Sequence, residues 1–277
     1  MIVFPNCKIN LGLNILQRRS DGYHDLETVF YPIRITDILE IIENRHPELS
    51  SRGMPFTLSG LPIAEMPAYN LCSKAYKLLK KDFPKLPLIQ MHLHKCIPLS
   101  AGLGGGSADA AFTLKLLNEK FKLNLTIQQL MDYADELGSD CPFFILNKPC
   151  FATGRGELLE EISIDLSAYK FVIVNPGIHI VTGNSFIKIK PSLPEKSIKD
   201  IIATPVENWK YELQNDFEKL AFSQHREIVD IKDQLYSAGA TYSSMSGSGS
   251  TVYGIFSKEK EPKLSFPDHY FLKELPC

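Results

Sequence analysis

Residues 98–111 read Pro-Leu-Ser-Ala-Gly-Leu-Gly-Gly-Gly-Ser-Ala-Asp-Ala-Ala, and few folds can accommodate such a stretch. Gly102, Gly104, Gly105 and Gly106, with the small Ala101, leave the backbone bare. Ala108, Ala110 and Ala111 then lead into Phe112, Leu114, Leu116 and Leu117, the start of an apolar, helix-favouring run. The preceding segment, 89–97, alternates in polarity and predicts a strand. Strand, glycine loop and helix in that order turn backbone N–H groups and the positive end of a helix dipole toward an anion. The pattern predicts a phosphate site.

Three kinds of glycine-rich loop compete for it. A P-loop requires a Lys directly after its last glycine, and none stands here, which excludes that class. A dinucleotide fingerprint fits Gly102-Leu-Gly104-Gly-Gly106 only loosely. The acid that fingerprint wants about 20 residues on would be Glu119, inside a predicted helix. A third class is a loop of the form Pro-x-x-x-Gly-Leu-Gly-x-x-Ser, matched by Pro98, Gly102, Leu103, Gly104 and Ser107. A plain turn with no ligand is the alternative, at the backbone-entropy cost of three consecutive glycines.

The 277 residues suit two domains, and composition turns polar near Glu160 to Ser167, which places the boundary at 1–160 and 161–277. Hydrophobic content of 44% and charged content of 22% are ordinary for a soluble globular protein. A formal charge of −2 provides no general basic field for nucleic acid. No apolar run approaches the ~18 residues of a membrane span, and the N-terminus does not resemble a secretory signal. The six cysteines, at 7, 72, 96, 141, 150 and 277, lack zinc spacing and read as free thiols in a reducing cytoplasm. Cys141, followed at once by Pro142, reads as a buried structural thiol. His92 and His94 share a strand face, but no third ligand for zinc is evident.

Along the chain, residues 2–16 predict a strand with Lys8, Asn10 and Asn14 on one face. A turn at 18–22 leads to further strands as far as Ile42. The stretch 46–67 reads as a loop broken by a short strand at 56–58. Helices are predicted over 70–81, from the glycine loop to about Lys120, and from a Thr126 cap to a Gly138 stop, with Ile127, Leu130, Met131, Ala134 and Leu137 at helical spacing. Residues 139–145 predict a tight turn into an apolar strand. Beyond the boundary come a buried strand at 171–174, helices at 182–189, 197–203 and 217–238, a strand at 251–256, and a peripheral end with one short strand.

The loop is similar to that of the galactokinase, homoserine kinase, mevalonate kinase and phosphomevalonate kinase (GHMP) superfamily. Two further segments narrow the match. Cys7-Lys8-Ile-Asn10-Leu with Asp21-Gly-Tyr23-His24, and Leu137-Gly-Ser-Asp140-Cys-Pro-Phe143, resemble the signatures of the 4-diphosphocytidyl-2-C-methyl-D-erythritol kinase family. Asn215-Asp-Phe-Glu218 and Ser246-Gly-Ser-Gly-Ser-Thr251 resemble its later motifs, so the likeness is collinear from residue 2 to about 256.

The resemblance implies an α+β, two-domain fold of mixed sheets with helices packed on them. It implies an ATP- and Mg²⁺-dependent kinase with a small cytidine-diphosphate-linked sugar alcohol as substrate, cytoplasmic, with no nucleic-acid or membrane partner. Another small-molecule kinase of the superfamily, for homoserine or mevalonate, is the alternative, and a non-catalytic nucleotide-binding domain is a further one. Lys8 and Asp140 would be catalytic by this resemblance; on the residues alone they read rather as an edge-strand Lys and a solvent-facing turn Asp. Pro98, Leu99, Ser100, Ala101, Gly102, Leu103, Gly104, Gly105, Gly106, Ser107 and Ala108 would hold the ATP phosphates. Asn70 and Lys95 would lie near adenine, with Tyr69 standing where an Asp commonly precedes the Asn-Leu pair. Ser107 would lie near Mg²⁺. Asp109 reads as structural, in a helix's first turn. Asn10, Tyr23, His24, Thr182 and Phe186 would bind the acceptor, with Tyr23 and Phe186 stacking on cytosine and His24 reading its edge.

Overall fold

The computed structural model of the chain describes residues 1–45, 54–62 and 69–276. Most of the loop expected over 46–67, at 46–53 and 63–67, lies outside the described residues, as does the thiol of Cys277. The elements run β1 (Ile2–Val3), β2 (Asn6–Arg18), β3 (His24–Thr36), β4 (Ile38–Glu43), β5 (Phe56–Gly60), α1 (Leu71–Asp82), β6 (Ile89–Lys95), α2 (Gly105–Phe121), α3 (Ile127–Leu137) and α4 (Cys141–Leu146). They continue as β7 (Cys150–Thr153), β8 (Leu158–Glu161), β9 (Tyr169–Asn175), α5 (Thr182–Lys188), α6 (Ile198–Ile202), α7 (Val206–Glu212), α8 (Phe217–Gln224), α9 (Arg226–Ser237), β10 (Tyr242–Met245), β11 (Val252–Ser257) and β12 (Phe271–Pro276). The architecture is α+β.

Two compact units interleave along the chain. One comprises Met1–Cys7, Arg34–Leu99 and Gly104–Lys148; the other comprises Lys8–Ile33, Ser100–Leu103 and Pro149–Cys277. They are a different division from the functional one expected at 160/161.

The first unit holds a mixed sheet of order β1-β4-β6-β5, antiparallel except for the parallel pair β5–β6. Alternation sets its faces: Ile89, Met91, Leu93 and Lys95 of β6 are buried, whereas Gln90, His92 and His94 are partly exposed. Helices α1 to α4 pack on one another, and Leu79, Ala110, Leu114, Leu117, Ala134 and Phe144 are buried along them. Thr126 and Gln129 close a capping box at the start of α3, worth about 1 kcal/mol. Ile127, expected on the apolar face of α3, is 55% exposed instead.

The second unit holds two sheets, β2-β3-β7-β8 and the all-antiparallel β10-β11-β9-β12. Its core joins Leu13, Ile15 and Leu26 to Val172, Val174, Phe217, Ile228, Leu235, Met245 and Phe256. Trp209 is fully buried and donates its indole N–H to the Thr204 carbonyl at 3.1 Å.

Several expectations need correction. Residues 139–145 form α4, not a turn into a strand. Pro142 sits in the first turn of that helix, where its missing N–H leaves no intrahelical bond unmade. The helix expected over 217–238 is two, α8 and α9, broken at His225 (φ −137, ψ 96). Helix α7 and strand β10 were not expected. The strand expected over 2–16 is interrupted at Phe4-Pro5, and β2 is buried on both faces, so its alternation does not mark a solvent side.

Candidate active site

The glycine loop has the geometry its sequence predicts. Gly102 (φ 78) and Gly104 (φ 68) take the left-handed conformation, and Gly104 caps the start of α2. A Cβ on Gly102 would lie 1.9 Å from the Ser246 carbonyl oxygen, so only glycine fits there. Gly105 and Gly106 are already helical, and the main-chain N–H of Ala108 closes the first turn onto the Gly104 carbonyl at 2.9 Å. The N–H groups of that turn have no intrahelical acceptor, and α2 directs its positive dipole end along them.

Ser107 lies in the same turn, and its hydroxyl hydrogen-bonds the Cys141 thiol. Burial pushes that thiol up to about 12, which keeps Cys141 protonated and inert. Asp140, one residue earlier, is half-buried at the cap position of α4 (φ −82, ψ −15) and its carboxylate does not cap the helix.

In the second unit, Lys8, Asn10 and Thr28 form a buried polar chain. Lys8 Nζ donates to Asn10 Oδ1 at 2.7 Å, Asn10 Nδ2 donates to Thr28 Oγ1 at 2.9 Å, and Thr28 donates to the Gly12 carbonyl at 2.5 Å. The Lys8 ammonium also lies 4.8 Å from the centre of the Phe30 ring. The Asn10 main chain is fixed as well: its N–H donates to Ser246 Oγ at 3.1 Å, and the Tyr253 hydroxyl donates to its carbonyl at 2.9 Å. Ser246 Oγ donates in turn to the Gly102 carbonyl at 2.8 Å. Within this unit, Lys8, Asn10 and loop residue Gly102 are thereby tied together.

The residues expected at the acceptor also lie in the second unit. His24 is buried and stacks on Phe186, with centroids 5.4 Å apart and planes at 28°. Phe186 turns its edge geometry toward Phe217 at 4.9 Å. Burial, and then the charge of Arg18, hold the His24 pKa below its ordinary value, so the ring is neutral at pH 7. Tyr23 is 56% exposed, with the Arg155 guanidinium 5.2 Å from its ring centre. Thr182 and Ser248 share a hydroxyl hydrogen bond of 2.8 Å. At 5.4 Å, the His24–Phe186 gap admits no second ring, so in this arrangement Phe186 faces His24 itself.

Asn70 caps α1, its Oδ1 accepting the Cys72 N–H at 2.9 Å. The Lys95 ammonium is buried between the carboxylates of Asp37 and Asp109. Asp109 is the fifth residue of α2, beyond its first turn, so its partner is Lys95 and not the helix dipole.

Sequence reasoning missed Asp37 and Thr28, and it flagged the segments of Asn215 and Ser246 without giving either residue a role. Asn215 Nδ2 donates to the carbonyls of Met245 (2.7 Å) and Gly247 (2.8 Å), and Glu218 Oε1 accepts the Met245 N–H at 2.8 Å. The Asn-Asp-Phe-Glu segment therefore latches the serine-glycine turn. Its side-by-side polar residues before an apolar helix were the available signal.

Residues 70–148 match the family described as GHMP kinases N terminal domain, and residues 198–265 match GHMP kinases C terminal. A protein of Bacteroides fragilis named 4-diphosphocytidyl-2-C-methyl-D-erythritol kinase is 52% identical over 269 residues, covering 96% of each chain. The chain belongs to the 4-diphosphocytidyl-2-C-methyl-D-erythritol kinase family. A crystal structure titled 4-(cytidine 5'-diphospho)-2C-methyl-D-erythritol kinase superposes on this GHMP kinase with a TM-score of 0.76 at 28% identity, covering 92% of this chain and 90% of that one. Homoserine kinase from Cytophaga hutchinsonii gives a TM-score of 0.68 at 13% identity over 92% of this chain and 86% of its own, a likeness of fold alone. The two-domain GHMP kinase architecture and a phosphotransferase activity follow from membership.

Proposed function

We propose that this kinase transfers the terminal phosphoryl group of ATP to the 2-hydroxyl of 4-(cytidine 5'-diphospho)-2-C-methyl-D-erythritol, a step in non-mevalonate synthesis of isoprenoid precursors. The observation that carries the assignment is the 52% identity over 96% of both chains to a protein bearing that kinase's name. A homoserine or mevalonate kinase assignment has only likeness of fold at 13–17% identity behind it.

Phosphoryl transfer through a loose transition state asks a protein for positioning and charge stabilisation more than for covalent chemistry. The N–H groups of the loop and of the first turn of α2 bind the ATP phosphates. Asn70 and Lys95 mark the adenine end; since the Lys95 ammonium is already engaged by two carboxylates, its contact there is through the main chain. Asp140 accepts the proton of the reacting hydroxyl and orients it. The Lys8 ammonium, held by Asn10, offsets charge on the transferring group.

Mg²⁺ would be held beside the nucleotide phosphates at Ser107, whose hydroxyl is a hard oxygen donor in the first turn of α2. When bound, the ion would offset the charge of those phosphates.

Tyr23 offers the ring face opposite Arg155 to cytosine, and neutral His24, backed by Phe186, reads the base edge. Residues 1–160 carry the nucleotide and transfer groups, and 161–277 supply Thr182 and Phe186 to the acceptor. Among the described residues no helix is long and apolar enough to cross a membrane. A cytoplasmic enzyme acting on a small molecule, without nucleic acid, is the consistent reading.

The test is direct. Purified protein is mixed with ATP, Mg²⁺ and each candidate acceptor, and ADP release is followed. ADP should appear with the cytidyl-linked alcohol; release with homoserine or mevalonate in its place overturns the assignment.

A further inference from the structure

Asp37, Lys95 and Asp109 form a buried charged cluster in the first unit, and its members stand at both ends of the glycine loop. Asp37, 0% exposed, lies between β3 and β4. Its Oδ1 accepts the main-chain N–H groups of Cys96 (2.6 Å) and Ile97 (2.9 Å), which lead from β6 into the loop. Its Oδ2 pairs with Nζ of Lys95, the last residue of β6. The same ammonium donates to Asp109 Oδ2 at 2.7 Å, on α2 beyond the loop. The loop is thus held at its start by Asp37 and at its end by Asp109, with Lys95 common to both. A Cβ on Gly105 would meet Ile97 Cγ2 at 2.9 Å and Lys95 Nζ at 3.4 Å, so the opening turn of α2 lies over the Ile97 side chain with the ammonium beside it.

Stability alone gives little reason for such a cluster. Removing ions from water opposes their attraction so strongly that buried ion pairs are often replaceable by packed apolar side chains at no loss. Here the Asp37 and Asp109 carboxyl groups share one ammonium, and Asp109 Oδ1 is buried with no hydrogen-bond partner. The titratable groups that act on Asp109 are Lys95 from β6, Asp37 from the β3–β4 junction and Cys72 from α1, whose thiol burial keeps neutral. A fold needing only a core has no use for this arrangement at the root of a ligand loop.

We infer that Asp37, Lys95 and Asp109 are positioning residues that fix the loop's N–H groups in the geometry that binds nucleotide phosphate. The inference rests on the assignment of the loop as the phosphate site. The whole protein is compared with Asp109→Ala, with the triple variant Asp37→Asn/Lys95→Met/Asp109→Leu, and with Gly104→Val, which disturbs the loop itself. The triple variant leaves no unpaired buried charge, keeps an oxygen at residue 37 for the two main-chain N–H groups, and keeps the comparison available where Asp109→Ala fails to fold.

In folded Asp109→Ala and in the triple variant, the KM for ATP should rise at least about tenfold, towards the ~10²-fold that small misplacements produce. The KM for the acceptor alcohol should hold, and kcat should change far less than the KM for ATP. A purely structural role would lower the unfolding temperature and leave both KM values alone. Parent-like ATP affinity in both cluster variants, with affinity lost in Gly104→Val, overturns the positioning role and leaves the loop assignment standing. Parent-like affinity in all three overturns both.

Discussion

Lys8 Nζ donates a 2.7 Å hydrogen bond to Asn10 Oδ1, the side chain two residues along the same buried strand. Asn10 is itself held by Thr28 and Ser246, so the ammonium is aimed by a neutral, fixed acceptor. Asn10→Asp preserves the shape and places a full negative charge against Lys8. Loss of one preorganised charge-stabilising contact lowers kcat by about 10²–10³-fold, and neutralising Lys8 in place should approach that range. A kcat within threefold of the parent in steady-state assays would remove Lys8 from the transfer step.

Asp140→Asn should abolish turnover and leave ATP binding nearly intact, because the residue opens α4 and the glycine loop opens α2. General-base assistance contributes about 10²–10⁴-fold, which sets the expected loss. Calorimetric ATP binding alongside the turnover assay separates the two effects; a variant keeping more than a tenth of the parent rate contradicts the role.

Gly104→Val should act on the nucleotide side. Its φ of 68 is one that a β-branched side chain rarely adopts. Gly105→Val should act for a different reason: its backbone is helical, but its Cβ would meet Ile97 Cγ2 at 2.9 Å. Both should lower ATP affinity while a cytidine nucleotide still binds, as titration of each ligand will read.

Base selectivity should follow from His24. The protein is expected to bind cytidine diphosphate more tightly than uridine diphosphate, since the wrong base leaves a buried polar group unpaired at roughly 1–3 kcal/mol. His24→Ala should erase the preference. Because His24 stacks on Phe186, Phe186→Ala should weaken both nucleotides and also loosen selectivity. Equal affinity of the parent for the two nucleotides would argue for a simple alcohol as acceptor.

Stability should depend on pH through Asp109. Burial, against the opposing pull of Lys95 and with the help of Asp37, pushes its carboxyl from 3.8 up to about 8. Between those values the folded chain retains a proton that the unfolded chain has released, so stability from this group falls as pH rises from about 4 to 8. Asp109→Asn has no such group and should flatten that slope in unfolding midpoints measured across the window.

The glycine loop and helices α2 and α3 were legible because glycine, capping Thr and helical spacing are local signals. Helix α4 was not, because a six-residue apolar run fits strand and helix alike, and only Pro142 in the first turn tips it. The break at His225 carries no glycine or proline, so an apolar period ran across it unmarked. Candidate site residues near one another in sequence, such as Lys8 and Asn10, could be paired by strand periodicity. Asp37 could not be joined to Lys95 or Asp109, since 58 residues separate the first pair and the bond depends on sheet register. His24 was visible as a residue, but its ring partner is set by packing of α5, which no local pattern encodes.

Strand β3 pairs with β7 through Thr28–Ala152, Val29–Phe151 and Phe30–Cys150, partners about 120 residues apart in the chain. During synthesis at ~5–20 residues per second, this side of β3 waits roughly 6–24 s for its neighbour to be made. An apolar strand edge in that interval is a template for pairing with other nascent chains. Production of the protein should therefore be sensitive to translation speed and to chaperone supply over the stretch before residue 150, well before its finished fold has any exposed edge at that place.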